Sequence, residues 1–143
     1  MSSEQMNKAR RILLKISGEA LSGEGGFGID PQVLSNTAKA IRNVQNQGVQ
    51  TVLVIGGGNI FRGAALQKAG FDRVAGDQMG MLATIMNGLA MREELKAQGG
   101  HCVLMSAYGI PSMTTQYSAT LGRELLDQGH SLIVAGGTGA PFF

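Results

Sequence analysis

The stretch Val52-Leu53-Val54-Ile55-Gly56-Gly57-Gly58-Asn59-Ile60-Phe61-Arg62-Gly63 decides how this chain is expected to fold. Its first four residues are apolar and mostly β-branched, which is typical of a strand buried on both faces in a parallel sheet. Three glycines follow at once, so the backbone can turn sharply and another molecule can come close. Asn59 is predicted to cap a short helix over about residues 60–68, with Arg62 one turn inside it. Such a helix start favours a phosphate group, whereas the plainer alternative is a tight turn with a surface arginine.

Strand and helix patterns alternate along the rest of the chain. Strands are expected over residues 10–17, 51–55, 102–105 and 131–135, and helices over residues 30–48, 60–68, 77–98 and 115–127. Asp30 and Pro31 are typical of a helix N-terminus, as cap and first helical residue. The alternation predicts an α/β fold with right-handed βαβ units and a parallel sheet that helices cover on both faces. Ligands of such sheets lie at the carboxyl ends of the strands, where glycine turns follow here.

Composition limits the possible functions. The 143 residues are 43% hydrophobic and 15% charged, which indicates one globular domain. A net charge of +2 gives no support for a nucleic-acid groove or a membrane surface. The single cysteine, Cys102, indicates a reducing compartment, and no signal peptide or membrane-spanning run is present, so a cytoplasmic location is expected. The chain ends on a glycine turn and two phenylalanines, which suggests the N-terminal part of a longer protein.

Several residues allow two interpretations. Lys15, at the carboxyl end of a predicted buried strand, either contacts a phosphate or extends into solvent at the sheet edge. Asp77 is either the cap of a long helix or a hydrogen-bond acceptor for sugar hydroxyls. The run Gly23–Gly28 matches the dinucleotide-binding pattern G-x-G-x-x-G, but it lies too far from both strand and helix and is interpreted as a mobile surface loop. The methionines of the long helix, Met79, Met81, Met86 and Met91, are predicted to pack in the core, and the alternative is a flexible binding surface.

Other catalytic patterns are missing from the sequence. It contains no G-x-x-x-x-G-K-[ST] phosphate loop and no G-x-S-x-G nucleophile elbow. No Cys/His spacing suits zinc, and His101 and His130 are expected to be solvent-exposed residues at strand entries.

Together these residues resemble a known family. The runs Lys15-Ile16-Ser17-Gly18-Glu19-Ala20, Val54 to Gly63, Asp77-Gln78-Met79-Gly80-Met81-Leu82-Ala83-Thr84, Met86 to Met91 and Ala135-Gly136-Gly137-Thr138-Gly139 are similar to bacterial uridylate kinases, within the amino acid kinase superfamily. The resemblance implies a three-layer αβα sandwich with a mainly parallel sheet, incomplete at the C-terminus. Residues 1–143 would then form the N-terminal, UMP-binding part of the domain, without its C-terminal ATP-binding part.

The resemblance also implies an activity and a set of partners. The family transfers the γ-phosphate of ATP to UMP with Mg²⁺, which yields UDP for pyrimidine nucleotide biosynthesis. GTP acts as an allosteric activator, and the full-length enzymes are homohexamers. Because the UMP phosphate is itself an anionic nucleophile, no general base is expected.

The resemblance assigns roles position by position. The implied catalytic residues are Lys15 and Arg62. The implied ATP-binding residues are Lys15, Ile16, Ser17, Gly18, Gly58 and Arg62. The implied UMP-binding residues are Gly57, Asp77, Thr138, Gly139, Ala140, Pro141, Phe142 and Phe143. The implied GTP region consists of Gly23, Glu24, Gly25, Gly26, Phe27 and Gly28, and no residue is assigned to a metal.

Two departures from the family pattern leave alternatives open. Ala140 stands where the family usually has Asn, which puts uridine binding or subunit communication in doubt. The family chain also continues for about a hundred further residues, roughly one more half-domain. The chain alone is therefore expected to have little or no turnover. The alternatives are a truncated, non-catalytic nucleotide-binding fragment, or a superfamily member that phosphorylates a carboxylate or a carbamate.

Overall fold

The structure is a computed structural model that describes residues 10–136. The strands are β1 (Arg10–Ile16), β2 (Val49–Ile55), β3 (Cys102–Ser106), β4 (Thr115–Gln116) and β5 (Ser131–Ala135). The helices are α1 (Pro31–Gln45), α2 (Gly63–Lys68), α3 (Arg73–Ala97) and α4 (Ala119–Asp127), with a 3-10 turn over Gly18–Leu21. No helix within the described residues combines the length and the apolar character needed to cross a bilayer.

All five strands form one parallel sheet in the order β1-β2-β5-β3-β4. The predicted parallel α/β fold is therefore confirmed. Strand β4 is not predicted from the sequence, whose pattern places residues 115 and 116 in the following helix. That helix begins at Ala119 instead, where Ser118 accepts a hydrogen bond from the Leu121 amide and so fixes the N-terminus.

Alternating side chains of the sheet supply two separate cores. Leu53 and Ile55 of β2 face the larger core, which α1 and α3 complete, whereas Val52 faces a smaller core beneath α4. Successive residues of a strand point to opposite faces, so the continuous apolar runs of β2 and β5 belong to strands covered on both sides. The predicted three layers, helix on sheet on helix, are confirmed.

Strand β1 differs from the prediction of a buried strand. It lies at one edge of the sheet, and its residues alternate between half-buried and exposed. Leu14 and Ile16 pack against the larger core, while Leu13 on the other face is 53% exposed. Lys15 lies on that outer face and is exposed. Because water solvates its charge, this lysine does not require an anionic partner.

The helix starts follow the sequence in part. Asp30 caps α1 as predicted, since its carboxylate accepts hydrogen bonds from the Gln32 and Val33 amides. Helix α3 begins four residues before the predicted Asp77, because Asp72 provides its cap. The expectation that the α3 methionines pack in the core holds for Met91, which is fully buried, and for Met81, which packs against the larger core. It is wrong for Met79 and Met86, which are exposed.

Candidate functional site

The carboxyl ends of β1 and β2 bring two glycine-containing turns into direct contact. The Gly56 amide donates to the Ile16 carbonyl across 2.9 Å, which extends the strand pairing past Ile55. A Cβ atom placed on Gly18 would lie 2.7 Å from the Gly58 amide nitrogen, closer than real side chains approach. The segments 17–19 and 56–58 therefore fit together only because glycine stands at the contact.

Arg62 folds back over this contact. Its Nε donates to the Gly58 carbonyl across 3.0 Å, and its Nη2 lies 3.2 Å from Glu19 Oε1. Arg62 precedes helix α2 as its N-cap residue, with extended backbone, and is not one turn inside a helix as predicted. The guanidinium and the Glu19 carboxylate are both substantially exposed, so their ion pair contributes little to stability and can exchange for another anion.

Asn59 is not the predicted helix cap. The chain makes a hydrogen-bonded turn after Gly57, whose carbonyl accepts from the amides of Ile60 and Phe61. This turn directs the Asn59 side chain into the interior, where it is fully buried. Its amide donates to the Gly28 carbonyl across 2.8 Å and exchanges hydrogen bonds with Asn87 of α3.

Helix α3 forms the floor of the site. A Cβ on Gly57 would lie 2.8 Å from the Ala83 Cβ and 3.0 Å from the Thr84 backbone nitrogen, so the glycine turn rests directly on the helix. Thr84 Oγ1 also accepts a hydrogen bond of 2.7 Å from the amide of Gly136, which follows β5. One helix thus supports the turn that follows β2 and contacts Gly136 directly after β5.

The remaining predicted residues lie around this centre. Ser17 Oγ accepts from the Ala20 amide across 3.3 Å and caps the 3-10 turn. Lys15 is in register with Val54 on β2, with its side chain exposed. Asp77 lies in the second turn of α3, where its carboxylate is 4.0 Å from Arg73 and mostly exposed. Their roles in binding stay predictions.

The loop over residues 23–28 is attached to the site at its C-terminal end. The Gly28 amide donates a hydrogen bond to the Asn59 carbonyl across 2.7 Å. The Asn59 side-chain amide in turn donates to the Gly28 carbonyl. Phe27 is 77% exposed. The predicted residues Thr138, Gly139, Ala140, Pro141, Phe142 and Phe143 lie outside the described residues.

Glu19, Thr84 and Asn87 were not predicted as site residues. Thr84 and Asn87 are three positions apart, which places them on the same face of α3. A signal was available, because both polar residues stand among apolar ones on a helix whose buried positions include Ala83, Ile85 and Gly88. No sequence pattern predicts the position of Glu19, because its partner Arg62 is 43 residues away along the chain.

Cys102 lies at the opposite, amino end of the sheet. Burial raises the pKa of its thiol to about 11, while a hydrogen bond with Ser131 opposes the change. The reactive thiolate is therefore scarce at neutral pH, and this thiol acts as a packing group rather than a nucleophile.

A parallel sheet whose glycine turns and arginine meet at the carboxyl edge is an arrangement suited to phosphate groups. The profile described as the amino acid kinase family matches residues 10–141. The chain belongs to the amino acid kinase family.

Within that family the similarity is to uridylate kinases. The chain is 54% identical over 136 residues to the uridylate kinase of Saccharophagus degradans, covering 95% of this chain and 55% of the relative. It is 53% identical to the uridylate kinase of Psychromonas ingrahamii, covering 100% of this chain and 57% of the relative. The crystal structure of UMP kinase from Ureaplasma parvum superimposes with a TM-score of 0.87 at 32% identity, covering 96% of this chain and 58% of that one. The chain thus spans about half the length of these relatives.

Proposed function

We propose that this chain provides the UMP-binding half of a uridylate kinase, which transfers the γ-phosphate of ATP to UMP. In that reaction a UMP phosphate oxygen forms a bond to the γ-phosphorus as the bond to ADP breaks. The observation that carries the proposal is the contact between the turns after β1 and β2, with Arg62 lying across them. The similarity to uridylate kinases over nearly the whole chain supports the choice of substrate.

The residues at this edge suit charge neutralisation and positioning, which phosphoryl transfer chiefly requires. Arg62 has a planar, permanently charged guanidinium that can donate two hydrogen bonds to one anion. Its ion pair with Glu19 is exposed, so the guanidinium can exchange the carboxylate for a phosphate group. Gly57 lets the turn rest directly on α3, and Gly58 carries the carbonyl that Arg62 contacts. Lys15 is proposed to neutralise the moving phosphoryl group, and Asp77 to accept hydrogen bonds from the ribose.

Mg²⁺ belongs to the proposal as a companion of ATP. Among residues 10–136, no three His, Cys, Asp or Glu side chains converge as a metal cage would require. Mg²⁺ is normally held by only one or two carboxylates together with substrate phosphates, so such a cage is not needed. Mg²⁺ would instead be held largely by the phosphates of ATP, whose charge it would help to neutralise.

Three further properties are proposed from the resemblance. We propose a cytoplasmic location, GTP as an activator that acts through residues 23–28, and a homohexamer for the full-length enzyme. Self-association is supported by apolar side chains that remain exposed on α3, among them Met79, Leu82 and Met86.

The proposal is tested by calorimetric titration of the 143-residue chain with UMP and with CMP. Selective binding of UMP is expected, because the acceptor site is assigned to this half. Equal binding of both nucleotides, or none by a chain that melts cooperatively, would contradict the proposal. Preferential phosphorylation of glutamate or carbamate in a substrate panel would support the alternative superfamily activity.

The second candidate is a nucleotide-binding fragment without turnover. It is favoured by one observation, that the chain spans 55% of its relative's length. Selective UMP binding without UDP formation, even when the C-terminal half of a uridylate kinase is supplied, would assign this role, whereas UDP formation in that mixture would exclude it.

A further inference from the structure

We propose that Asn87 is a positioning residue, which holds the glycine turn of the candidate phosphate site through a buried amide pair with Asn59. The pair joins α3 to the connection between β2 and α2. Through Asn59 it also links that connection to the loop that ends at Gly28. The inference concerns the geometry of the turn, and its consequence for UMP binding rests on the proposed function.

The two side chains hydrogen-bond to each other and to two backbone carbonyls. Asn87 Nδ2 donates to Asn59 Oδ1 and to the Gly56 carbonyl, both across 2.7 Å. Asn59 Nδ2 donates to Asn87 Oδ1 across 3.1 Å and to the Gly28 carbonyl across 2.8 Å. Each amide therefore uses both of its N–H donors, and each side-chain oxygen accepts from the other residue.

Burial makes the hydrogen bonds of the Asn59–Asn87 pair costly to lose. Both side chains are fully buried, so water cannot replace a lost hydrogen bond. A leucine pair would occupy a similar volume, but it would not fix the orientation of the Gly56 and Gly28 carbonyls. A fully satisfied buried polar network selects one arrangement of the chain where apolar packing tolerates several.

The position of the pair connects it to the site. The Gly56 carbonyl, which Asn87 holds, immediately precedes Gly57 and Gly58 at the end of β2. On the other side, Asn59 is bound to Gly28 through both its side chain and its backbone carbonyl. Movement of α3 or of the Gly28 loop would therefore reach the glycine turn through these two amides.

The inference is tested on the 143-residue chain by amide hydrogen exchange in the absence of ligand. Asn87→Leu removes the polar contacts while keeping the number and branching of the side-chain heavy atoms, and the control Met86→Leu changes the exposed neighbouring residue of α3. Exchange is followed at Gly28, Ile60 and Phe61, whose amides donate to carbonyls of the turn, and at Leu104 in β3 as an internal reference.

Asn87→Leu removes three buried side-chain hydrogen bonds, so we expect exchange at Gly28, Ile60 and Phe61 to become at least about tenfold faster. Exchange at Leu104 should stay within about twofold of the wild-type rate, and Met86→Leu should change none of these amides. Unchanged exchange at the turn, or equal acceleration throughout the sheet, would overturn the inference.

A second variant and a UMP-binding measurement complete the test. Asn87→Ser retains a hydroxyl donor, so it should accelerate exchange less than Asn87→Leu, and it replaces that variant if leucine prevents folding. Failure of both variants to fold would also overturn the inference, because the pair would then be a general requirement of the core. A wild-type chain that does not bind UMP would count against the proposed function, while the exchange rates would still decide the role of Asn87.

Discussion

The two glycine-rich segments of this molecule, residues 56–58 and residues 23–28, use glycine for opposite reasons. At Gly57 an added Cβ would collide with Ala83 and with the backbone of Thr84. At Gly25 and Gly26 it would meet nothing within 4 Å, although Gly26 has a φ of +69° that side chains disfavour. The first segment needs glycine for close packing, and the second needs it for backbone conformation. At Gly23 the nearest atoms would belong to the Asp30 side chain, so only the first segment packs against the backbone of another element.

The largest effect should come from Gly57→Ala. Because the new methyl group would meet the α3 backbone, which cannot easily shift, we expect a loss of about 2 kcal/mol in the free energy of unfolding. Urea unfolding followed by circular dichroism measures the loss. Gly58→Ala is the matched control, since the atoms nearest to its Cβ would all belong to the movable Glu19 side chain and the change should cost less. Equal losses for the two variants would contradict the packing argument.

Arg62→Ala tests whether the packed segment binds anions. The guanidinium supplies the permanent charge at Gly58, so its removal should weaken binding of pyrophosphate about tenfold, the value of one charge-assisted hydrogen bond. Titration calorimetry with pyrophosphate measures the site without base or sugar. Arg73→Ala, on the exposed surface of α3, should leave the affinity unchanged. If Arg62→Ala and Arg73→Ala bind pyrophosphate with the same affinity, Arg62 is not part of the anion site.

Glu19→Gln should have a smaller effect of the opposite sign. The carboxylate lies over Gly58 and pairs with Arg62, so it competes with an incoming phosphate for the same guanidinium. Loss of its charge should strengthen pyrophosphate binding about threefold, since exposed ion pairs are weak. The same titration in increasing salt should reduce the difference. Weaker binding in this variant would mean that Glu19 assists the anion instead.

The smallest effect is expected for Gly25→Ala in the open loop. Its φ is not in the left-handed region and no atom lies near the new methyl group, so the free energy of unfolding should change by less than about 0.5 kcal/mol. Thermal or urea unfolding, with Gly57→Ala measured alongside, checks this difference directly. A large loss at Gly25 would mean that this loop also packs closely, and the distinction between the two segments would disappear.

Much of the site could be predicted because it follows local rules. An apolar β-branched run followed by glycines marks the end of a parallel strand, and parallel strands end at one edge. Asn59 is a residue for which local sequence rules give the wrong interpretation. It was interpreted as a helix cap because asparagine often precedes a helix, yet it serves as a buried partner of Asn87, 28 positions further along the chain. Lys15 was assigned to a buried strand because sequence cannot tell a central strand from an edge strand.

The sequence by itself determined the alternation of strands and helices, the parallel sheet, the glycine turns and the resemblance to uridylate kinases. These depend on periodicity and on the preferences of neighbouring residues, which are local properties of the chain. Only the tertiary structure decided that Asp72 caps α3, that Glu19 faces Arg62 and that two buried amides join three segments. Such contacts depend on which surfaces come together in space, and spacing along one sequence does not specify them.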